Sequence, residues 1–196
     1  MNEYKDIILK DVDFGGRFFT KAPNEIWDRK VMTEPMMKDS PFERQTCQVF
    51  LDKAKGDVFI GGLGIGLVPM AIMNNPEVKS ILIVEVHQEV IDLIKPQVQF
   101  NEKVQIILGN AHTYVPEKNF DVFILDDWTA PDEGLIPDGA TAEDMHLKFH
   151  DRMSNFLNPG GVILDWKMND SQLQEYFEYI KQFEHYWDNP NEHGNK

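Results

Sequence analysis

The residues with the types and spacing for chemistry fall at the ends of short apolar runs. After Val58-Phe59-Ile60 come Gly62, Gly64 and Gly66, a G-x-G-x-G loop whose backbone can turn tightly and approach a ligand where a Cβ would block it. A second apolar run, residues 81–84, ends in Glu85. An acid at that point can accept hydrogen bonds from both ribose hydroxyls of a nucleoside. The dinucleotide fingerprint G-x-G-x-x-G is not met in any register, because Leu67 or Pro69 falls on its last position. A third run, residues 120–125, ends in Asp126-Asp127-Trp128. Residues 126–144 hold seven acids and no Lys or Arg, a composition that fits either a cation-binding lid with Trp128 as its aromatic wall or a solvated acidic loop. His146 and His150 are four apart, a spacing open to metal ligation, but they sit on the shoulder of an apolar stripe and read better as an exposed face with no metal.

The elements that position these groups alternate. Residues 1–38 lack a helical period and read as a β-hairpin or small sheet. Met32, Met36 and Met37, around Pro35, read as core filler under this segment or as an adaptable pocket wall. Ser40-Pro41-Phe42-Glu43 predicts a helix start, with Ser40 as N-cap and Glu43 completing a capping box. Phe42, Thr46, Val49 and Phe50 recur at helical spacing, with Gly56 ending the helix and Cys47 an ordinary helix residue. Helices are then expected from Leu67 with Pro69 in the first turn, over 87–95 before Pro96, and from Thr141 with Met145, Phe149, Met153, Phe156 and Leu157 inward. Strands are expected at 58–60, 81–84, 104–108, 120–125 and 162–164, the last following Asn158-Pro159-Gly160-Gly161. A last helix begins at Ser171. The alternation predicts an α/β fold: a doubly wound, mainly parallel sheet in the order 3-2-1-4-5 with a small N-terminal β segment. One domain is expected, with a core over 39–188 and a polar tail over 189–196.

The chain has 196 residues and a net charge of −14, which argues against a large nucleic-acid footprint and mildly favours a small or cationic partner. One cysteine excludes an internal disulfide. No apolar run approaches the ~18 residues of a membrane span, and the N-terminal residues lack a signal-peptide pattern, so a cytoplasmic location is expected.

The glycine spacing is similar to motif I of the class I S-adenosylmethionine-dependent transferases, and Glu85 resembles their ribose-binding acid. Further features resemble the spermidine-synthase-like branch. Asp39-Ser40-Pro41-Phe42-Glu43 is loosely similar to its Asp-Glu-Phe-x-x-x-Glu segment. Its first strand, like 58–60 here, lacks the acid most methyltransferases carry before the first glycine. Val84-Glu85-Val86-His87-Gln88-Glu89-Val90-Ile91 is similar to Val-Glu-Ile-Asp-x-x-Val-Ile, and Gly109-Asn110-Ala111 to an adenine-contacting Gly-Asp-Ala. Asn-Pro-Gly-Gly before the fifth strand is common across the superfamily. The resemblance covers residues 39–166. It implies S-adenosylmethionine or its decarboxylated form as cofactor. In that reading Gly62, Gly64 and Gly66 cradle the methionine part, Glu85 the ribose, and Asn110 and Ala111 the adenine. Asp126 stands at the transfer site, binding the cofactor's ammonium or the acceptor's amine, and Asp127 and Trp128 face the substrate. A homodimer is a further family-level expectation.

Departures matter. The aminopropyltransferases carry Asp-x-x-Asp-Pro after the fourth strand; Asp126 matches the first acid, but Thr129 replaces the second. Ile65 stands where an Asp is usual, and the chain ends one helix after the fifth strand, a shortened C-terminus. No Asn/Asp-Pro-Pro-Tyr segment of the amino-directed DNA enzymes is present. The leading expectation is therefore a methyltransferase acting on a small acceptor, such as a cationic amine, or on a peptide. The alternatives are an aminopropyltransferase and a non-catalytic nucleoside-binding module.

Overall fold

The computed structural model describes residues 3–30, 32–33, 35–126 and 142–166. All of them belong to one compact unit, Met1–Trp166. The expected last helix, the polar tail and the shortened C-terminus lie outside the described residues, as do Asp127 and Trp128.

The core is a five-stranded parallel sheet of β4 (Gly56–Gly61), β5 (Val78–Glu85), β6 (Val104–Leu108), β7 (Phe120–Leu125) and β8 (Leu157–Asp165). Its spatial order β6-β5-β4-β7-β8 is the expected 3-2-1-4-5. Side chains alternate across each strand, so residues two apart share a face. Val58 and Ile60, in register with Ile81, Ile83, Val122 and Ile124, point to one face. There they meet Phe50 and Leu51 of α2 (Gln48–Lys53), Val68 and Ile72 of α3 (Leu67–Ile72), and Ile91 and Ile94 of α4 (Gln88–Ile94). Phe59 and Phe123 point the other way, to Phe149 and Met153 of α5 (Ala142–Ser154). The Phe59 ring lies 5.2 Å from Phe123, 5.8 Å from Phe120 and 6.3 Å from Phe149, centroid to centroid. Both faces are covered, as parallel sheets require. Among the described residues, no helix is long and apolar enough to cross a membrane.

The N-terminal expectation is met by a small antiparallel sheet, β1 (Phe18–Phe19), β2 (Glu25–Asp28) and β3 (Met37–Lys38). The stretch before it forms no strand, although Ile7 and Leu9 are buried. Side chains replace the ladder: Ile7 N–H donates to Asp39, Leu9 to Asn24, Lys10 to Gln97 and Val12 to Thr20. Backbone amides need partners, but not backbone ones. Arg44 completes the clamp, with Nε and Nη2 at 2.5 and 2.6 Å from the two oxygens of Asp39. Arg44 is thus a structural tie.

Three boundaries differ from expectation. The helix begun at Ser40 breaks at Cys47 into α1 (Pro41–Thr46) and α2, which leaves Val49 exposed and Cys47 buried. Helix α2 stops at Lys53 with Ala54 as its cap, and Gly56 belongs to β4 at φ +61°, where a Cβ would overlap the Asp121 carboxylate. Strand β8 begins at Leu157, so Asn-Pro-Gly-Gly lies inside it as a bulge opposite β7, and Phe156 and Leu157 fall beyond α5. Asp121 holds that bulge by accepting from Asn158 Nδ2 at 3.0 Å.

Candidate functional site

The strand order reverses between β4 and β7, both paired in parallel with neighbours on opposite sides. Ligands of doubly wound sheets bind outside the carboxyl ends of the strands at such a point. The glycine loop is there. Gly61, the last residue of β4, lies so close to Ala111 that a Cβ would come within 2.8 Å of the Ala111 Cβ. Gly62 N–H donates to Val84 O at 2.9 Å. Gly66 caps α3 at φ +82°, a left-handed conformation costly for side chains, and a Cβ would meet Phe100 at 3.1 Å. Gly66→Ala is expected to cost about 1–2 kcal/mol from the left-handed strain alone, read as a lower urea midpoint; an unchanged midpoint would refute a strained cap. Above Gly64 sits Met37, whose Sδ a Cβ there would meet at 3.0 Å, so this methionine walls the loop as well as packing against the core.

Glu85, at the end of β5, is 5% exposed. Its Oε2 accepts from Leu63 N–H and its Oε1 from His87 N–H, both at 2.8 Å. Burial raises its proton affinity, and these amide bonds oppose that. One carboxylate therefore ties the glycine loop to the end of the second strand. Its four lone-pair positions are not exhausted by the two bonds.

Asp126 follows β7, its N–H donating to Gly61 O at 2.8 Å, which sets it beside the loop. Its charge is felt by Glu43 of α1. The capping box forms only by half: Ser40 Oγ accepts from Glu43 N–H at 3.2 Å, but the Glu43 Oε2 reaches past Ser40 to the Lys38 N–H at 3.1 Å. Burial, with the charges of Asp126 and Asp39 behind it, pushes Glu43 up to about 8, against the Lys38 amide bond. The same Asp126 charge raises the Cys47 thiol and the Tyr4 phenol, after burial. The Asp126 charge thus reaches three further titratable groups, and of these only Glu43 had a signal in the sequence. The signal for Glu43 was its position at the helix start, where a solvated face reads equally well.

The raised value has a sign. A folded-state value of about 8 against an unfolded 4.5 means that the folded protein holds this proton more tightly. Stability therefore falls as pH rises across that window, and the loss is complete above it. Glu43→Gln, which keeps an acceptor for Lys38 N–H, is expected to stabilise the protein by about 1–2 kcal/mol at pH 8.5 and not at all at pH 4. Urea titrations at the two pH values check this; equal effects at both would refute it.

Asn110 opens a turn after β6, its side chain accepting from His112 N–H at 2.8 Å, and Ala111 is buried against Gly61. Gly109 N–H donates to Glu85 O at 2.9 Å, so this turn borders the Glu85 end of the site. Arg152 of α5 holds the turn by donating to Ala111 O at 2.6 Å and to Tyr114 O. The histidine pair is not the exposed face expected. His150 Nε2 lies 3.0 Å and His146 Nδ1 3.5 Å from the same Asp165 Oδ2, at the end of β8, with side chains 38% and 13% exposed. The partner is the last residue of β8, the strand against which α5 packs. Among the described residues, no group of three or more His, Cys, Asp and Glu forms a metal site.

The sequence matches no protein-family model and no curated protein. The fold is similar to that of solved proteins. The N-methyltransferase NodS from Bradyrhizobium japonicum WM9 aligns over 71% of this chain and 83% of its own, with 14% identity and a TM-score of 0.50. Its complex with S-adenosyl-L-homocysteine aligns over 64% and 61%, with 17% identity and a TM-score of 0.48. A DhpI–SAM–HEP complex aligns over 71% and 62%, with 16% identity and a TM-score of 0.48. The chain spans less than two thirds of the latter two. What the NodS likeness shows is the fold alone, a Rossmann-like methyltransferase sheet.

Proposed function

We propose that the protein is an S-adenosylmethionine-dependent methyltransferase acting on a small acceptor, with a cationic amine favoured over a peptide. One observation carries the reading: Glu85 bonds the glycine-loop amide of Leu63 at the switch point of the sheet, so loop and acid form one receptor. The residues fit the cofactor. A buried carboxylate with spare acceptor capacity suits the ribose hydroxyls, and a loop of left-handed glycines suits close approach of the methionine part. The Asn110–Ala111 turn, bonded to the same strand end, suits the adenine edge.

The cofactor would supply a methyl group on a cationic sulfur, which takes the C–S electron pair as the acceptor nitrogen takes the carbon. The chain's part is alignment and proton handling. Asp126, next to the loop, holds a positive nitrogen by its charge. Asp127 and Trp128 follow it directly in sequence and are proposed to face the acceptor. NodS is described as an N-methyltransferase, which is in keeping with a nitrogen acceptor. A single domain, a cytoplasmic location and a homodimer go with this reading.

Calorimetry with both cofactor forms tests it. Binding of S-adenosylmethionine in preference to the decarboxylated form is expected. The opposite preference would favour aminopropyl transfer and the spermidine-synthase-like branch. Binding of neither would leave a non-catalytic module.

A further inference from the structure

The methyl-transfer reading leaves one carboxyl at the strand ends without a role. Among the described residues, the Glu43 carboxyl makes one hydrogen bond, Oε2 accepting from Lys38 N–H, and Oε1 makes none. The titratable and charged groups that act on it are Lys38 at the end of β3, Asp39 from the β3–α1 turn, Cys47 from the α1–α2 junction and Asp126 just after β7. The other candidates nearby are committed. The Tyr4 hydroxyl donates to Arg44 O at 2.8 Å, and the Cys47 thiol is buried.

We propose that Glu43 takes the proton from an aliphatic amine that enters as an ammonium ion beside Asp126. The inference rests on the methyl-transfer reading above. In this step an N–H bond breaks and its electron pair stays on nitrogen as the lone pair that attacks. The O–H bond forms at Glu43 Oε1, and the proton later leaves to solvent. Asp126 keeps its charge and holds the nitrogen. A carboxylate near its usual acidity is a poor base for an alkylammonium of pKa ~10. The environment that lifts Glu43 to about 8 narrows the gap and brings the group close to working pH, where general bases act best. The half-formed capping box has a consequence here, since the reach to Lys38 sets the carboxyl against the strand whose Met37 walls Gly64, the same glycine loop that Asp126 borders through its bond to Gly61.

The test follows methyl transfer from S-adenosylmethionine to a panel of alkylamines and arylamines between pH 6 and 9.5. It compares wild type, Glu43→Gln and Glu43→Asp, with cofactor affinity measured alongside by calorimetry. At pH 7.5, Glu43→Gln is expected to lose at least tenfold in alkylamine transfer, together with the wild-type pH limb near 8, and Glu43→Asp to retain part of both. Cofactor affinity should stay within twofold. Arylamines, neutral in this range, should fall by less than threefold. A structural role alone would not separate the two amine classes, so equal losses in both overturn the inference. Alkylamine transfer unchanged in Glu43→Gln overturns it while the methyl-transfer reading stands, and so does a wild-type enzyme that binds cofactor but turns over no alkylamine. Wild-type protein that binds no cofactor removes that reading and the inference with it.

Discussion

Glu85→Ala is expected to lower affinity for S-adenosylmethionine by 10- to 100-fold, about 1.5–3 kcal/mol, the range for a lost hydrogen bond to a charged group. The effect has two parts. The ribose loses its acceptor, and the amides of Leu63 and His87 lose theirs, so the glycine loop is no longer tied to β5. The second part should also appear without ligand as a lower urea midpoint, because buried amides without partners are costly. Glu85→Gln keeps one acceptor oxygen and should fall between wild type and Ala in both measurements. A folded Ala variant that binds with unchanged affinity would remove Glu85 from the site.

Asp126→Asn is expected to reduce transfer to an amine by about 10²- to 10³-fold, the scale for removing one preorganised electrostatic group from a reacting centre. Its backbone bond to Gly61 does not depend on the side chain, so the sheet should persist. A second readout is built in. The Asp126 charge helps hold the Glu43 proton in place, so neutralising it should shift the titration of Glu43 below its value of about 8. The pH–rate limb should move to lower pH as the rate falls. Cofactor affinity must be measured separately, since a carboxylate there could also hold the cofactor's ammonium. Transfer that is unaffected at every pH would dismiss Asp126 from the reaction.

How far these residues could be read in advance depended on what fixed their positions. The sheet was legible because a strand buried on both faces must be largely apolar, and Val58-Phe59-Ile60 and residues 122–125 are apolar throughout. Its order followed from the crossover rules. Glu85 was legible for the same reason: a lone acid ending an apolar run has few structural uses. Glu43 was not. Its sequence signature is that of a capping box, and the departure from the box depends on where β3 ends, which only the tertiary arrangement sets. The histidine pair failed similarly. A period of 3.6 locates His146 and His150 on a stripe's edge, but not the Asp165 that the packing of α5 on the end of β8 brings to them. Residues 7–14 were apolar enough to suggest a strand, yet their amides are satisfied by side chains scattered over the chain, which no local pattern encodes.

The position of the single thiol turns the protein into its own reporter. Cys47 is 3% exposed at the junction of α1 and α2, and burial raises its pKa well above the ordinary thiol value. An alkylating reagent can attack only when the junction opens and the thiolate forms, so the labelling rate measures the free energy of that opening. No engineered probe is needed, because there is no second cysteine to confuse the signal. The same opening would carry Glu43 away from Asp126, since the Cys47 N–H is bonded to Glu43 O. A molecule seated between those carboxyls should therefore slow the modification of a sulfur it never touches, and protection kinetics could screen for acceptors before any turnover is seen.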